Sequence, residues 1–320
     1  MIFLERSILM RIVFMGSPEF ALPTLTALSE HYQVVGVVTQ PDRPAGRGKN
    51  VTPPPVKTLA LALNLPVIQP ENLKEPSALE QIRAWQPEMI IVAAFGQILR
   101  KNILDLPSLG CINVHASLLP RWRGAAPIQA AILNGDAETG VTIMMMDAGI
   151  DTGGILSQRV EPIHENDTAS TLGERLAKIG ADLLLETLSA YLTKSISPRK
   201  QPDDGVTYAP MLKKEDGRLD FSQPAIDLDR KIRAFNPWPA AFTMWRGNPM
   251  KILKAHIFVS PNTDMNKFAT GSTLIIDQKP AIKTGDGILI LDEVQPAGKK
   301  AMAGEVFLHG ARDWGNDILG

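Results

Sequence analysis

The chain has 320 residues, of which 44% are hydrophobic and 21% are charged, and its formal net charge is −1. Such a length predicts about two domains. The composition supplies a core and a polar surface, which excludes a wholly disordered chain, a collagen-like repeat and a long coiled coil. Cys111 is the one cysteine. Internal disulfides and thiolate zinc sites are therefore excluded, and a reducing, cytoplasmic environment is expected.

The N-terminal segment MIFLERSILMRIVFMG resembles a signal peptide only superficially. Charged residues interrupt its apolar stretch, and no small-residue cleavage site follows. We expect residues 1–9 to be an extension that results from a mis-chosen start codon. No uncharged apolar run reaches the ~20 residues that a membrane helix needs, so no membrane partner is expected.

The first half alternates short apolar runs with amphipathic stretches. This alternation is typical of βαβ units and predicts an α/β domain with a doubly wound, mainly parallel, Rossmann-like sheet. The predicted strands are 11–16, 33–39, 66–69, 89–95, 111–115 and 141–146, and the predicted helices are 20–31, 56–64, 77–85 and 169–192.

The segment KSISPRKQPDDGVTYAP, which begins at Lys194, is polar and proline-rich and has no period, as in a linker. A helix around 225–235 and strands at 251–259, 272–278 and 287–295 follow, and they predict a small, OB-like β barrel. The predicted organisation is an extension at 1–9, a catalytic domain at 10–194, a linker at 195–212 and a second domain at 213–320.

The stretch 39–57 carries Arg43, Arg47, Lys49 and Lys57 against Asp42 as its one acidic residue. A basic loop rich in glycine and proline is suited to contacting phosphates, although a solvated surface turn explains it equally well. The G-x-G-x-x-G fingerprint of dinucleotide enzymes is absent, as is G-x-x-x-x-G-K-[ST].

Asn113 and His115 are two residues apart on a predicted strand and therefore share one of its faces. The segment SLLPRWRG follows, and its proline and glycine predict an irregular loop at the end of the sheet where open α/β folds bind ligands. A second glycine-rich loop after a strand carries Asp147 and Asp151. Such a carboxylate could orient the imidazole or merely cap a turn.

An amide beside an imidazolium can stabilise an oxyanion, and the imidazole can give a proton to a departing amine. Cys111 shares the face of Asn113, but we expect it to be a small buried apolar group. The pattern therefore favours direct acyl transfer between two amines, without a covalent enzyme intermediate.

At these residues the chain resembles the formyltransferase family, from Met10 nearly to the C terminus. The shared motifs are the Asn-x-His strand, the loop SLLP-x-x-x-G and the later aspartate. Four further segments resemble the branch that formylates methionyl-tRNA: QPDRPAGRGKN (40–50), RAFNPWPA (233–240), GDGI (285–288) and VQPAGKKAM (294–302). The resemblance implies 10-formyltetrahydrofolate as the formyl donor, methionyl initiator tRNA as the acceptor and no metal.

The resemblance also implies roles for particular residues. Asn113 would hold the formyl oxygen, His115 would stabilise the oxyanion and protonate the folate nitrogen, and Asp151 would pair with His115. Arg47 would enter the acceptor end of the tRNA, with Arg43 and Lys49 beside it. The implied folate-binding residues are Val92, Phe95, Gly96, Ser117, Leu118, Leu119 and Pro120.

Two alternatives stay open at this point. One is formylation of a nucleotide-linked amino sugar, since those enzymes share the three catalytic residues. The other is a non-catalytic tRNA-binding protein, which would bind tRNA in a salt-dependent manner without binding folate. A monomer is the simplest expectation for the oligomeric state.

Overall fold

The structure is a computed structural model that describes residues 9–45, 50–258 and 267–319. The expectation about residues 1–9 lies outside the described residues apart from Leu9, and the predictions for Arg47 and Lys49 lie wholly outside them. The chain divides into two compact units. One contains the described parts of Met1–Pro127, Glu138–Pro162 and Gly173–Ala209, and the other contains those of Ile128–Ala137, Ile163–Leu172 and Pro210–Gly320. The boundaries predicted from the sequence stay a prediction.

Helices follow most of the strands, as the apolar spacing predicts. Two short 3-10 helices, Glu19–Ala21 and Lys214–Gly217, accompany them. The α-helices are α1 (Leu22–His31), α2 (Pro55–Ala62), α3 (Pro76–Ala84), α4 (Lys101–Leu104), α5 (Pro127–Asn134), α6 (Ala169–Leu192), α7 (Ala225–Ala234) and α8 (Gly304–Gly310).

The strands fall into a first group before residue 210 and a second group after it. The first group is β1 (Arg11–Gly16), β2 (Gln33–Val38), β3 (Arg43–Ala45), β4 (Asn50–Thr52), β5 (Val67–Ile68), β6 (Met89–Ala93), β7 (Cys111–His115), β8 (Arg123–Gly124), β9 (Glu138–Met145), β10 (Ile155–Pro162) and β11 (Tyr208–Ala209). The second group is β12 (Phe242–Trp245), β13 (Asn248–Phe258), β14 (Thr273–Ile276), β15 (Lys279–Lys283), β16 (Ile288–Pro296) and β17 (Met302–Ala303).

The first unit contains a seven-stranded sheet in the order β10-β9-β7-β6-β1-β2-β5. Five neighbouring strands of this sheet, β5, β2, β1, β6 and β7, pair in parallel. Strands β9 and β10 continue the sheet through antiparallel pairs. Every residue of β6 and β7 is buried, which explains the unbroken apolar run of β6 and makes Asn113 and His115 the polar exceptions on β7.

The second unit contains an antiparallel half-barrel in the order β12-β13-β16-β15-β14, with β17 paired to β16. Its core includes the rings of Trp245, Phe307 and Trp314, whose centroids lie 5.1–5.9 Å apart in edge-to-face contacts. The predicted fold class, a mainly parallel α/β domain followed by a small β domain, is confirmed. In the described part of the chain, no helix is long and apolar enough to cross a membrane.

Several elements escape the sequence prediction. Strand β10 has only its first two residues buried and contains a serine, a glutamine and an arginine, so its apolar signal is weak. Helices α5 and α8 have only eight and seven residues, which is too short for a clear period. Strand β15 contains Pro280 and two lysines, a composition that is unfavourable for strands.

Candidate active site

Asn113 and His115 project from β7 in the middle of the sheet. Asn113 lies opposite Val92 of β6 and Met144 of β9. Both polar side chains are nearly buried, with 9% of Asn113 and 5% of His115 exposed. Buried polar groups need partners, so the contacts of these two residues define what the site can do.

Both ring nitrogens of His115 face oxygen atoms. Nε2 lies 3.0 Å from the carbonyl oxygen of Trp122, and because a carbonyl only accepts, Nε2 carries a hydrogen. Nδ1 lies 3.6 Å from Oδ2 of Asp151. That separation exceeds a hydrogen bond, so it leaves Nδ1 able to approach the carboxylate or a substrate atom.

Asp151 connects the two sequence segments that carry the predicted catalytic residues. Its Oδ2 accepts a hydrogen bond of 2.8 Å from the backbone N–H of Gly124, and its Oδ1 lies 3.4 Å from Nδ2 of Asn113. Its backbone is left-handed, with φ of 51°. An aspartate keeps that conformation only where its surroundings hold it. The structure thus brings Asn113, His115 and Asp151 together.

Asp147 behaves differently from Asp151. Its Oδ1 accepts hydrogen bonds from the backbone N–H of Gly149 at 3.0 Å and from the hydroxyl of Thr152 at 2.6 Å. Asp147 is therefore the residue that caps the turn. Of the two roles that the sequence leaves open for an aspartate in this loop, Asp147 caps the turn and Asp151 faces the imidazole.

The loop Ser117–Pro120 is fixed by two polar residues that sequence analysis missed. The hydroxyl of Thr142 donates to the carbonyl of Ser117 at 2.6 Å and accepts from the N–H of Leu119 at 3.1 Å. Nε2 of Gln158 donates to the carbonyl of Leu119 at 2.9 Å. Thr142 and Gln158 belong to β9 and β10, and no spacing in the sequence connects them to the loop.

The backbone after β6 is held in a similar way. The carbonyl of Phe95 accepts hydrogen bonds from Gln40 Nε2 at 3.0 Å and Ser17 Oγ at 3.4 Å. Gly96 follows with φ of 83°, a conformation that favours glycine. Because Val92 pairs with Asn113, this segment continues from the strand beside the catalytic side chains.

The basic stretch begins on a small ribbon in which β3 pairs antiparallel with β4. Arg43 lies on β3, forms an ion pair with Glu71 and keeps 63% of its side chain exposed. Asp42 bonds to Gln69 at 2.6 Å and to Lys57 at 2.7 Å. These two donors hold the pKa of the Asp42 carboxyl below its usual value. Asp42, which directly precedes β3, is therefore held in place by Gln69 and Lys57.

Burial and the nearby charge of Asp105 raise the pKa of the Cys111 thiol to about 12. A thiol with this pKa is protonated near neutral pH and is a poor nucleophile. We expect a disulfide-exchange reagent such as dithionitrobenzoate to label Cys111 only after denaturation. Rapid labelling of the native protein, measured by absorbance, would contradict the buried position.

The arrangement suits acyl transfer without a protein nucleophile. Asn113 and His115 can donate to an oxyanion, and Asp151 faces the imidazole. Among the described residues, no three His, Cys, Asp or Glu side chains form a group that could hold a metal ion.

Two family models match the chain. The formyl transferase model matches residues 10–188, and the formyl transferase C-terminal domain model matches residues 211–312. The methionyl-tRNA formyltransferase of Roseiflexus castenholzii is 48% identical over 313 residues, which cover 97% of this chain and 99% of that protein.

Two solved structures share the fold at low identity. HypX from Aquifex aeolicus in complex with tetrahydrofolic acid has a TM-score of 0.65 and 17% identity, covering 93% of this chain and 47% of that chain. An N-formyltransferase from Helicobacter canadensis in complex with folinic acid and dTDP-3-aminofucose has a TM-score of 0.62 and 19% identity, covering 90% of this chain and all of that chain (100%).

Proposed function

The chain belongs to the methionyl-tRNA formyltransferase family, and we propose that it transfers the formyl group of 10-formyltetrahydrofolate to the α-amino group of methionyl initiator tRNA. The observation that carries the proposal is the convergence of Asn113, His115 and Asp151 at the end of β7. The near full-length relationship to a methionyl-tRNA formyltransferase at 48% identity supports the choice of acceptor.

In the proposed reaction, the neutral α-amine attacks the formyl carbon and a carbon–nitrogen bond forms. The electron pair of the carbonyl bond moves to oxygen, where Asn113 and His115 donate hydrogen bonds. The oxyanion then reforms the carbonyl and breaks the bond to folate N10. His115 gives N10 a proton, and the attacking amine loses a proton to water, so that charge and atoms balance.

Asp151 serves the reaction through His115. Its carboxylate faces Nδ1 of the ring, and it stabilises the protonated imidazole that donates to the oxyanion and to N10. Because Nε2 donates to the carbonyl of Trp122, Nδ1 is the nitrogen proposed to donate to the oxyanion and to N10, and its 3.6 Å separation from Oδ2 leaves it without a hydrogen bond to the carboxylate.

The folate donor is proposed to lie between two backbone segments that are fixed by hydrogen bonds from neighbouring side chains. One contains Val92, Phe95 and Gly96, which we assign to the pterin. The other is Ser117–Pro120, whose carbonyl and N–H groups are fixed by Thr142 and Gln158. Backbone groups that are already ordered bind a flat, polar ring without further loss of conformational freedom.

The tRNA is proposed to contact Arg43, Arg47 and Lys49. The exposed side chain of Arg43 supports this assignment for the described part of the stretch. The chain would act as a monomer in the cytoplasm, where aminoacylated tRNA is available.

The function is tested by offering different acceptors. The purified full-length chain is incubated with 10-formyltetrahydrofolate and one of four acceptors: methionyl initiator tRNA, methionyl elongator tRNA, free methionine or a nucleotide-linked amino sugar. We expect formylated product with the initiator tRNA alone. Product on the amino sugar, with none on either tRNA, would overturn the proposal in favour of the sugar-modifying alternative.

Neutralising the basic stretch should weaken tRNA binding and leave folate binding unchanged. With Arg43, Arg47 and Lys49 all replaced by alanine, we expect the slope of log K against log salt for tRNA binding to fall by about 2–3, since each phosphate contact contributes ~0.7–0.9. Binding is measured by filter retention at several salt concentrations.

A matched control removes three exposed cations elsewhere in the first unit, namely Arg83, Lys101 and Lys178. This control variant makes the same change in net charge. An equal loss of slope in both variants would show that net charge, rather than this stretch, determines tRNA binding.

A further inference from the structure

A buried pair, Arg123 and Gln201, contacts the loop that carries Asp151. Arg123 is 9% exposed and Gln201 is 4% exposed. Nε and Nη2 of Arg123 donate to Oε1 of Gln201 at 3.1 Å and 2.7 Å. A buried guanidinium is costly unless its donors are used, so this pair has a defined geometry.

The amide nitrogen of Gln201 reaches the loop that carries Asp151. Its Nε2 donates to the carbonyl of Asp151 at 2.7 Å and to the carbonyl of Gly153 at 2.8 Å. Both hydrogens of the amide are therefore used. Both carbonyls lie on the C-terminal side of the left-handed φ torsion of Asp151, so Gln201 fixes the backbone that leads out of the strained position.

Gln201 belongs to a segment that the sequence predicts to be a linker. In the structure, this segment forms backbone hydrogen bonds with both loops of the site. Arg199 exchanges two bonds of 2.8 Å with Ile155, just after the Asp151 loop. The carbonyl of Thr207 accepts a bond of 2.9 Å from the N–H of Arg123, its side-chain hydroxyl accepts one of 2.8 Å from the N–H of Trp122, and β11 pairs with β8.

The two loops meet again at the catalytic residues. The loop that contains Trp122 supplies the carbonyl oxygen to His115 Nε2, and the N–H of Gly124 donates to Asp151. The position of the Asp151 carboxylate relative to the imidazole therefore depends on how the two loops are held. Arg123 and Gln201 form a direct side-chain connection between them.

We propose that Gln201 and Arg123 are positioning residues for formyl transfer. Gln201 holds the backbone of Asp151 so that its carboxylate faces His115, and Arg123 fixes the orientation of the Gln201 amide. A guanidinium only donates, so it requires Oε1 of Gln201 to point at Arg123 and Nε2 to point at the two carbonyls. This inference rests on the proposed function.

The test is the substitution Gln201→Glu. Glutamate has nearly the same shape and keeps an acceptor for Arg123, but its ionised carboxylate cannot donate to the carbonyls of Asp151 and Gly153. We expect kcat for tRNA formylation to fall about 10- to 100-fold, because a displacement near 1 Å at a reacting group costs up to ~10². The KM values for folate and tRNA should change by less than about threefold.

A matched control is Gln81→Glu, which makes the same chemical change on the exposed surface of α3. Thermal unfolding and tetrahydrofolate binding are measured for both variants, and Gln201→Met serves as a second variant if Gln201→Glu does not fold. A Gln201→Glu protein that folds, binds folate and turns over like the Gln81→Glu protein would overturn the proposal.

The decisive comparison repeats Gln201→Glu in an Asp151→Ala background. A residue that acts by positioning the carboxylate loses its effect when the carboxylate is absent, so the second change should cost less than about threefold in single-turnover rate. An unchanged penalty would show that Gln201 acts independently of Asp151. A wild-type chain that formylates no tRNA would contradict the proposed function itself, and with it the role of Asp151 assumed here.

Discussion

Replacing His115 with alanine is expected to lower kcat for formyl transfer by at least ~10³ while folate binding stays within about threefold of wild type. The imidazole is proposed to stabilise the oxyanion and to protonate folate N10, and each of these roles has a large effect on the rate. Loss of one oxyanion donor typically costs ~10²–10³, and loss of a general acid costs ~10²–10⁴. Because one ring serves both functions, the two losses occur together.

The experiment compares single-turnover rates at saturating folate and methionyl initiator tRNA. His31→Ala is the matched control, since His31 lies exposed at the end of α1 in the same unit. A His115→Ala protein with a rate within tenfold of the control would remove His115 from the mechanism. Loss of folate binding in the variant would instead indicate a structural role for the ring.

Removing the charge of Asp151 is the second change for which a large effect is expected. Asp151→Ala and Asp151→Asn should each lower kcat by about 10²–10³. Asparagine keeps an oxygen that can accept from the N–H of Gly124, so it separates the charge from the hydrogen bond. If the negative charge of Asp151 is what raises the rate, the Asp151→Asn variant will be nearly as slow as the Asp151→Ala variant.

Asp105→Asn supplies the control for the second prediction. Asp105 is an exposed aspartate that pairs with Lys101 in the first unit. Near-normal turnover by Asp151→Asn would show that Asp151 acts only as a hydrogen-bond acceptor that shapes the loop. Near-normal turnover by Asp151→Ala would exclude it from the reaction.

The sequence predicts the strands and helices whose apolar residues form a clear local pattern. The buried parallel strand β6 is an unbroken apolar run, and α6 is long enough to show its period. Strand β10 was missed because only its first two residues are buried and polar residues interrupt the rest of it.

The candidate site could be predicted only where its residues leave a local pattern in the sequence. Asn113 and His115 are polar residues on an apolar strand, and they stand out in any reading of the sequence. Gln201 does not stand out, because its bonds to Arg123 and Asp151 join residues 78 and 50 positions away. Such pairings are determined by tertiary packing, so the sequence of a proline-rich stretch without a period does not show which hydrogen bonds it forms.

The most direct test of the mechanism is a rapid-quench experiment with a formyl-labelled folate donor, run with and without methionyl initiator tRNA. Direct transfer predicts that tetrahydrofolate and formylmethionyl-tRNA appear together in equal amounts, and that neither label on the protein nor free tetrahydrofolate appears without the tRNA. A burst of tetrahydrofolate, or label on the denatured protein in the absence of acceptor, would contradict transfer by Asn113, His115 and Asp151 alone.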